Sequence, residues 1–129
     1  MKRFIIALIL LGACIEGTFG KNSFKIVNKF QKRTKLRVHC YSGNDDLGVQ
    51  YLMNGQEQHW RFNDLVFHRT VFRCELMHGY QYQNYQKFQA YNSNWGSDEN
   101  NKMVTWLAVE RGLYKIWENR TPEFMFPWS

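Results

Sequence analysis

Two cysteines on two alternating stretches constrain this chain more than any other feature. From 36 to 41, the apolar residues Leu36, Val38 and Cys40 alternate with Arg37, His39 and Tyr41. From 72 to 76, Phe72, Cys74 and Leu76 alternate with Arg73 and Glu75. Period-two alternation is the pattern of a half-buried strand. Each cysteine therefore lies on the apolar face of its own strand, where the two can meet in one core. The expected bridge, Cys40–Cys74, closes a loop of 34 positions, worth about 4 kcal/mol in the chain-entropy model.

The N-terminus sets the compartment. Lys2 and Arg3 precede the apolar run Phe4–Leu11, which continues through Ile15 to small residues at Thr18 and Gly20. A basic start, a short apolar stretch and small residues near a break are the parts of a secretory signal peptide. The run is shorter than the roughly 20 apolar residues of a membrane-spanning helix. The reading is a signal peptide over 1–20, with cleavage after Gly20 and Gly17 as the alternative site. Residues 21–129 then form one secreted, extracellular domain with no membrane insertion. Cys14 leaves with the leader, so Cys40 and Cys74 remain as a pair in an oxidising compartment, where a disulfide is expected. Removing Lys2, Arg3 and Glu16 from 17 basic and 11 acidic side chains leaves 15 against 10.

Short strands follow one another along the mature chain. They are read around Phe24–Ile26, Leu36–Ser42, Gly48–Leu52, Gln58–Phe62, Thr70–Met77, Tyr85–Tyr91, Met103–Val109 and Leu113–Trp117. Asn54-Gly55 is read as a hairpin turn, because both residues accept positive φ. Asn63–Arg69 carries Leu65, Val66 and Phe67 and suits a crossing between two sheets. Asn92–Lys102 is read as an exposed loop and the proline-containing tail as irregular. About eight short antiparallel strands at regular spacing argue for an all-β protein, a small single-domain β-sandwich.

Candidate chemistry is sparse. No two of His39, His59, His68 and His78 have a metal-ligand spacing, and the expectation is solvated histidines with no metal and no cofactor. Glu57, His59 and Arg61 share one strand face by period two, as a secreted ribonuclease could use, but any solvated strand face shows such a pattern. Lys21–Arg37 holds seven Lys or Arg and no acid. It suits either an anionic partner or an edge strand guarded by lysines. Tyr80, Tyr82 and Trp95 lie in loop-like stretches and are candidate partner-binding anchors, since Tyr and Trp are enriched at interfaces. Trp95 folded back onto the sandwich is the competing reading. Asn119-Arg120-Thr121 is a glycosylation sequon.

Val38-His39-Cys40, Asn44-Asp45-Asp46-Leu47-Gly48, Trp60-Arg61-Phe62, Phe72-Arg73-Cys74 and Trp106–Tyr114 stand in an order that resembles the plant self-incompatibility protein family, also called S-protein homologues. The resemblance spans Leu36–Tyr114. It implies a secreted β-sandwich without catalytic activity, acting in cell-cell recognition as a ligand of a plant cell-surface membrane protein. A monomer with no nucleic-acid partner is expected. The runner-up is a basic secreted defence protein binding anionic surfaces. Many family members carry a second cysteine pair nearer the C-terminus. This chain has no cysteine after Cys74, which leaves open what holds the last hairpin.

Overall fold

The computed structural model describes residues 22–43, 45–62, 71–93, 95, 103–118 and 120–129. The leader, the 63–70 connection with His68, and Asn119 lie outside the described residues.

Among the described residues, nine strands form two packed sheets. They are β1 (Asn22–Asn28), β2 (Leu36–Tyr41), β3 (Asp46–Leu52), β4 (Glu57–Phe62), β5 (Val71–His78), β6 (Asn84–Asn92), β7 (Met103–Val109), β8 (Gly112–Trp117) and β9 (Glu123–Pro127). One sheet has the order β4-β1-β7-β8-β9, the other β3-β2-β5-β6. The alternation read from the sequence is the alternation of burial. Leu36, Val38 and Cys40 are buried on β2, as are Phe72, Cys74 and Leu76 on β5. Cys40 and Cys74 are direct cross-strand partners and are bonded, with S–S 2.01 Å.

The opposing sheet supplies Phe24, Ile26, Val104 and Trp106 to the same core. Trp106 is almost wholly buried, and its indole N–H donates to the Ala90 carbonyl at 3.0 Å. A buried tryptophan needs such a partner for its one polar atom. A register shift opposite Phe72 lets β6 bury Ala90 and Tyr91 in succession.

The structure departs from the sequence reading in four places. First, β1 and β7 pair in parallel, so one pair of the sandwich is not antiparallel. Second, Asn54-Gly55 does not close a hairpin. β3 and β4 belong to different sheets, and the turn carries the chain across the sandwich. Only Gly55 takes positive φ, at 85°, as the third residue of a type II turn requires. Third, the tail is not irregular, since β9 adds to β8 as an edge strand. Fourth, the basic stretch does not form an edge, because β1 is central, between β4 and β7. Its exposed cations Lys29, Lys32, Arg33 and Lys35 gather instead in the loop that follows. A change of sheet does occur between β4 and β5, as expected of the Asn63–Arg69 connection.

The last hairpin is held by its neighbouring strands, without a second disulfide. The β7–β8 hairpin is flanked by β1 on one side and β9 on the other. Trp128 then packs against the core and donates its indole N–H to the Val109 carbonyl at 2.8 Å.

Candidate recognition surface

Strand register sorts the connections into two ends of the sandwich. Leu36 pairs with Leu52, Arg37 with Met77, and His78 with Asn84. Segments 29–35, 53–56 and 79–83 therefore share one end, joined there by the 110–111 turn and the C-terminus. Tyr41 pairs with Asp46 and Arg73, and Phe72 with Tyr91. Residues 42, 43 and 45 after β2 and residues 93 and 95 after β6 therefore share the opposite end. Tyr80 and Tyr82 lie at the first end and Trp95 at the second. The eight steps of β6 separate them by roughly 25 Å, so the three anchors read from the sequence do not form one surface.

The turn after β5 is the most unusual backbone among the described residues. Gly79, Gln81 and Tyr82 have φ of 91°, 53° and 54°. Gly79, with φ 91° and ψ −174°, occupies a region essentially confined to glycine, and a β-carbon there would also meet the Asn84 amide. Two consecutive non-glycine residues in the left-handed region cost about 1–2 kcal/mol each, and surrounding bonds must hold them. The Tyr82 N–H donates to the Gly79 carbonyl at 2.9 Å, and the Gln83 N–H to the Tyr80 carbonyl at 3.1 Å. The Asn84 side-chain amide donates to the His78 carbonyl at 3.3 Å. Below the turn, Tyr85 exchanges main-chain hydrogen bonds with Ser129 at 2.9 and 3.3 Å. The product is a braced turn that holds Tyr80 76% exposed, while Tyr82 is half-buried.

Under this turn lies His78, which is buried rather than solvated as expected. Its ring centroid is 4.6 Å from that of Phe30 and 4.3 Å from that of Trp128, and its Nε2 has no hydrogen-bond partner. Burial pushes the imidazole below its ordinary value, with Glu110 pulling the other way. The adjoining basic loop is tied down by Glu110, whose carboxylate accepts from the Gln31 and Lys32 N–H groups at 2.9 Å each. Those bonds, the one from Lys32 first, hold the Glu110 carboxyl below its usual range.

Trp95 packs back onto the sandwich. It contacts Tyr91 and Trp117, and the Lys115 ammonium sits 3.7 Å from its ring centroid. Lys115 points inward among Trp95, Trp106 and Trp117, and burial lowers its pKa. Sequence reading missed this lysine because an inward position on β8 is indistinguishable there from an outward one.

Two polar constellations remain. His39, Tyr41, Ser42, Asp45, Asp46 and Glu75 line an open groove of about 430 Å³. The groove is internally satisfied, with His39 Nε2 2.9 Å from Asp46 and the Tyr41 hydroxyl donating to Glu75 at 3.1 Å. Among the described residues, no three His, Cys, Asp or Glu are grouped to hold a metal ion. On β4, Glu57 is drawn to Lys25 at 3.7 Å. Burial, with Arg61 and Lys25 beside it, pushes His59 below its ordinary value.

The comparisons agree with this architecture. Residues 23–128 match the family model described as plant self-incompatibility protein S1. S-protein homolog 11 of Arabidopsis thaliana is 35% identical over 129 residues, covering 98% of this chain and 90% of that protein. S-protein homolog 10 of the same plant is 33% identical over 129 residues, covering 97% and 87%. A solved structure of SPH (self-incompatibility protein homologue) proteins, described as a widespread family of small, highly stable, secreted proteins from plants, superposes with a TM-score of 0.72. It is 24% identical and covers 85% of this chain and 96% of its own, a likeness that carries the fold. With the family model spanning nearly every described strand and relatives matching end to end, the chain belongs to the plant self-incompatibility protein S1 family.

Proposed function

We propose that this chain is a secreted, non-enzymatic ligand that acts in cell-cell recognition by binding a plant cell-surface membrane protein, with Tyr80 as its anchor. Membership of a family of secreted plant proteins supports the location and the class of role. The observation that carries the reading is the braced left-handed turn at 79–83, which presents an aromatic ring 76% exposed. Strained backbone persists where the surroundings over-determine it, and such outliers gather at binding sites. A rigid aromatic held in advance loses little freedom on binding, so its contact area converts efficiently into affinity.

The test is binding of the secreted protein to membranes of recipient plant cells. Tyr80→Ala weakens binding about tenfold, the scale of an interface anchor, and leaves the thermal midpoint within a degree or two. Full binding by this variant refutes Tyr80 as the anchor.

A second reading rests on the cations of the 29–35 loop at the same end: a basic defence protein held to anionic surfaces. Charge-driven binding fades as salt shortens the screening length and does not discriminate among anionic surfaces. Retention on recipient membranes in moderate salt favours the ligand.

A further inference from the structure

Sheet edges are where a sandwich can acquire partners, because half of an edge strand's N–H and C=O groups face away from its neighbour. Among the described residues the two sheets have four edges, and three of them are blunted. β4 exposes Glu57 and Arg61. On β6, the main chain of Tyr85 is occupied by Ser129, and Lys87 is exposed. β9 is five residues long, follows Pro122 and ends on Pro127.

β3 is different. Among the described residues it pairs only with β2. From Leu47 to Met53 there is no charged residue and no proline. Val49, Tyr51 and Met53 project to solvent at 40%, 52% and 43% exposure, while the alternate residue Leu52 is buried. Gly48, with φ 83° and its N–H donating to the Asp46 carboxylate at 2.8 Å, sits in a bulge where the β2–β3 register shifts, and the pairing is regular from Val49 to Leu52. An uncharged, exposed, β-prone edge is an invitation to pair.

We infer that β3 pairs antiparallel with β3 of a second copy of this chain, joining two four-stranded sheets into one. The charges at its two ends select this occupant. Asp45 and Asp46 are exposed at the entry to β3. At its exit, Lys35 precedes Leu36, the cross-strand partner of Leu52, and its ammonium lies 5.4 Å from the Tyr51 ring. In a two-fold antiparallel pair, the acidic end of each strand meets the basic end of the other, as an isologous contact demands. Val49 and Tyr51 then cover their counterparts on the other copy. A dimer replaces the monomer expected from the sequence, and it leaves the Tyr80 turn of each copy free.

Sedimentation velocity on the secreted, disulfide-bonded protein, from about 5 μM to about 1 mM, tests the pairing by mass action. The weight-average species shifts from monomer toward dimer as concentration rises. Tyr51→Lys and Val49→Lys each raise the dissociation constant at least about tenfold. Asp45→Lys weakens the dimer, and adding Lys35→Glu to it restores association. In the unsubstituted protein, amides between Val49 and Met53 gain exchange protection with concentration, a readout that needs no variant. A monomer throughout the range overturns the inference. So does a dimer untouched by both lysine substitutions, which puts the interface elsewhere. A monomer whose Tyr51→Lys variant loses binding to recipient cells also overturns it and assigns the edge to a partner protein.

Discussion

Asn28 is fully buried at the end of β1, and its side chain ties together three parts of the molecule. Its Nδ2 donates to the Thr34 carbonyl at 2.8 Å and to the Leu52 carbonyl at 2.9 Å, and its Oδ1 accepts from the Phe30 N–H at 3.1 Å. Leu52 belongs to the opposing sheet, so this amide bridges the two layers. Asn28→Ala leaves two carbonyls and one N–H without partners. A buried unsatisfied group costs about 1–3 kcal/mol. The Thr34 carbonyl is near enough to the surface to find water, which leaves two full penalties and a predicted loss of about 4 kcal/mol. Against a total stability of about 5–15 kcal/mol, that is a large share. Guanidinium titration checks it, with the midpoint falling at an unchanged slope. Asn28→Asp adds a sign. The shape is kept and the Phe30 N–H keeps its acceptor, but both donors become a carboxyl facing two carbonyls. Burial raises the folded-state pKa of that carboxyl above its ordinary value of about 3.9. The variant therefore holds its stability below about pH 4 and loses it as pH climbs through the raised value. A loss under about 1 kcal/mol for Asn28→Ala, or a pH dependence of Asn28→Asp that runs the other way, refutes this account of how the layers are joined.

Three further outcomes are expected. His78 has its folded-state pKa depressed below 6.5 by burial, so its contribution is intact above that value and is lost as pH falls below it. Thermal midpoints measured from pH 7 to pH 5 decline, and the decline is shallower in His78→Phe, which keeps a ring between Phe30 and Trp128. Trp95→Ala lowers stability by about 2 kcal/mol, less than the 3–5 kcal/mol of a fully buried aromatic. It leaves binding per folded molecule unchanged, and a binding loss without a stability loss reverses the assignment. Asn119 carries an N-linked glycan when the protein is secreted from plant cells, and glycosidase treatment reduces its mass.

Most of the scaffold was legible because a packed sandwich imposes its period on the residues that build it. Leu36-Val38-Cys40 and Phe72-Cys74-Leu76 cannot be shifted by one place without turning the core outward, and so those strands and their bridge could be read directly. The errors have a shared cause. Asn54-Gly55 has the composition of a hairpin turn, yet local chemistry says only that the chain reverses, not which strand receives it. In the fold, Asn54 also serves distant backbone. Its amide donates to the Phe30 and Lys32 carbonyls at 2.8 and 2.7 Å, and its Oδ1 accepts from the Thr34 N–H at 2.7 Å. The tail misled for a similar reason. Pro122 and Pro127 forbid a central strand but suit an edge, and β8 offered one.

The candidate sites were legible in residue type and not in place. A tyrosine beside a glycine marked the 79–83 turn, but left-handed backbone at Gln81 and Tyr82 has no signal in residues that rarely adopt it. Trp95 among small polar residues looks like an anchor until Lys115 and Trp117 are seen to receive it. The open edge is a case of the reverse kind. Gly48–Leu52 reads as a strand from its sequence and forms most of β3, and its missing charges are visible there, but they acquire meaning only once β3 stands at a sheet edge while β4, β6 and β9 are each guarded. An uncharged apolar strand at the centre of a sheet would be ordinary. At an edge it is a surface that the rest of the fold has left for a partner.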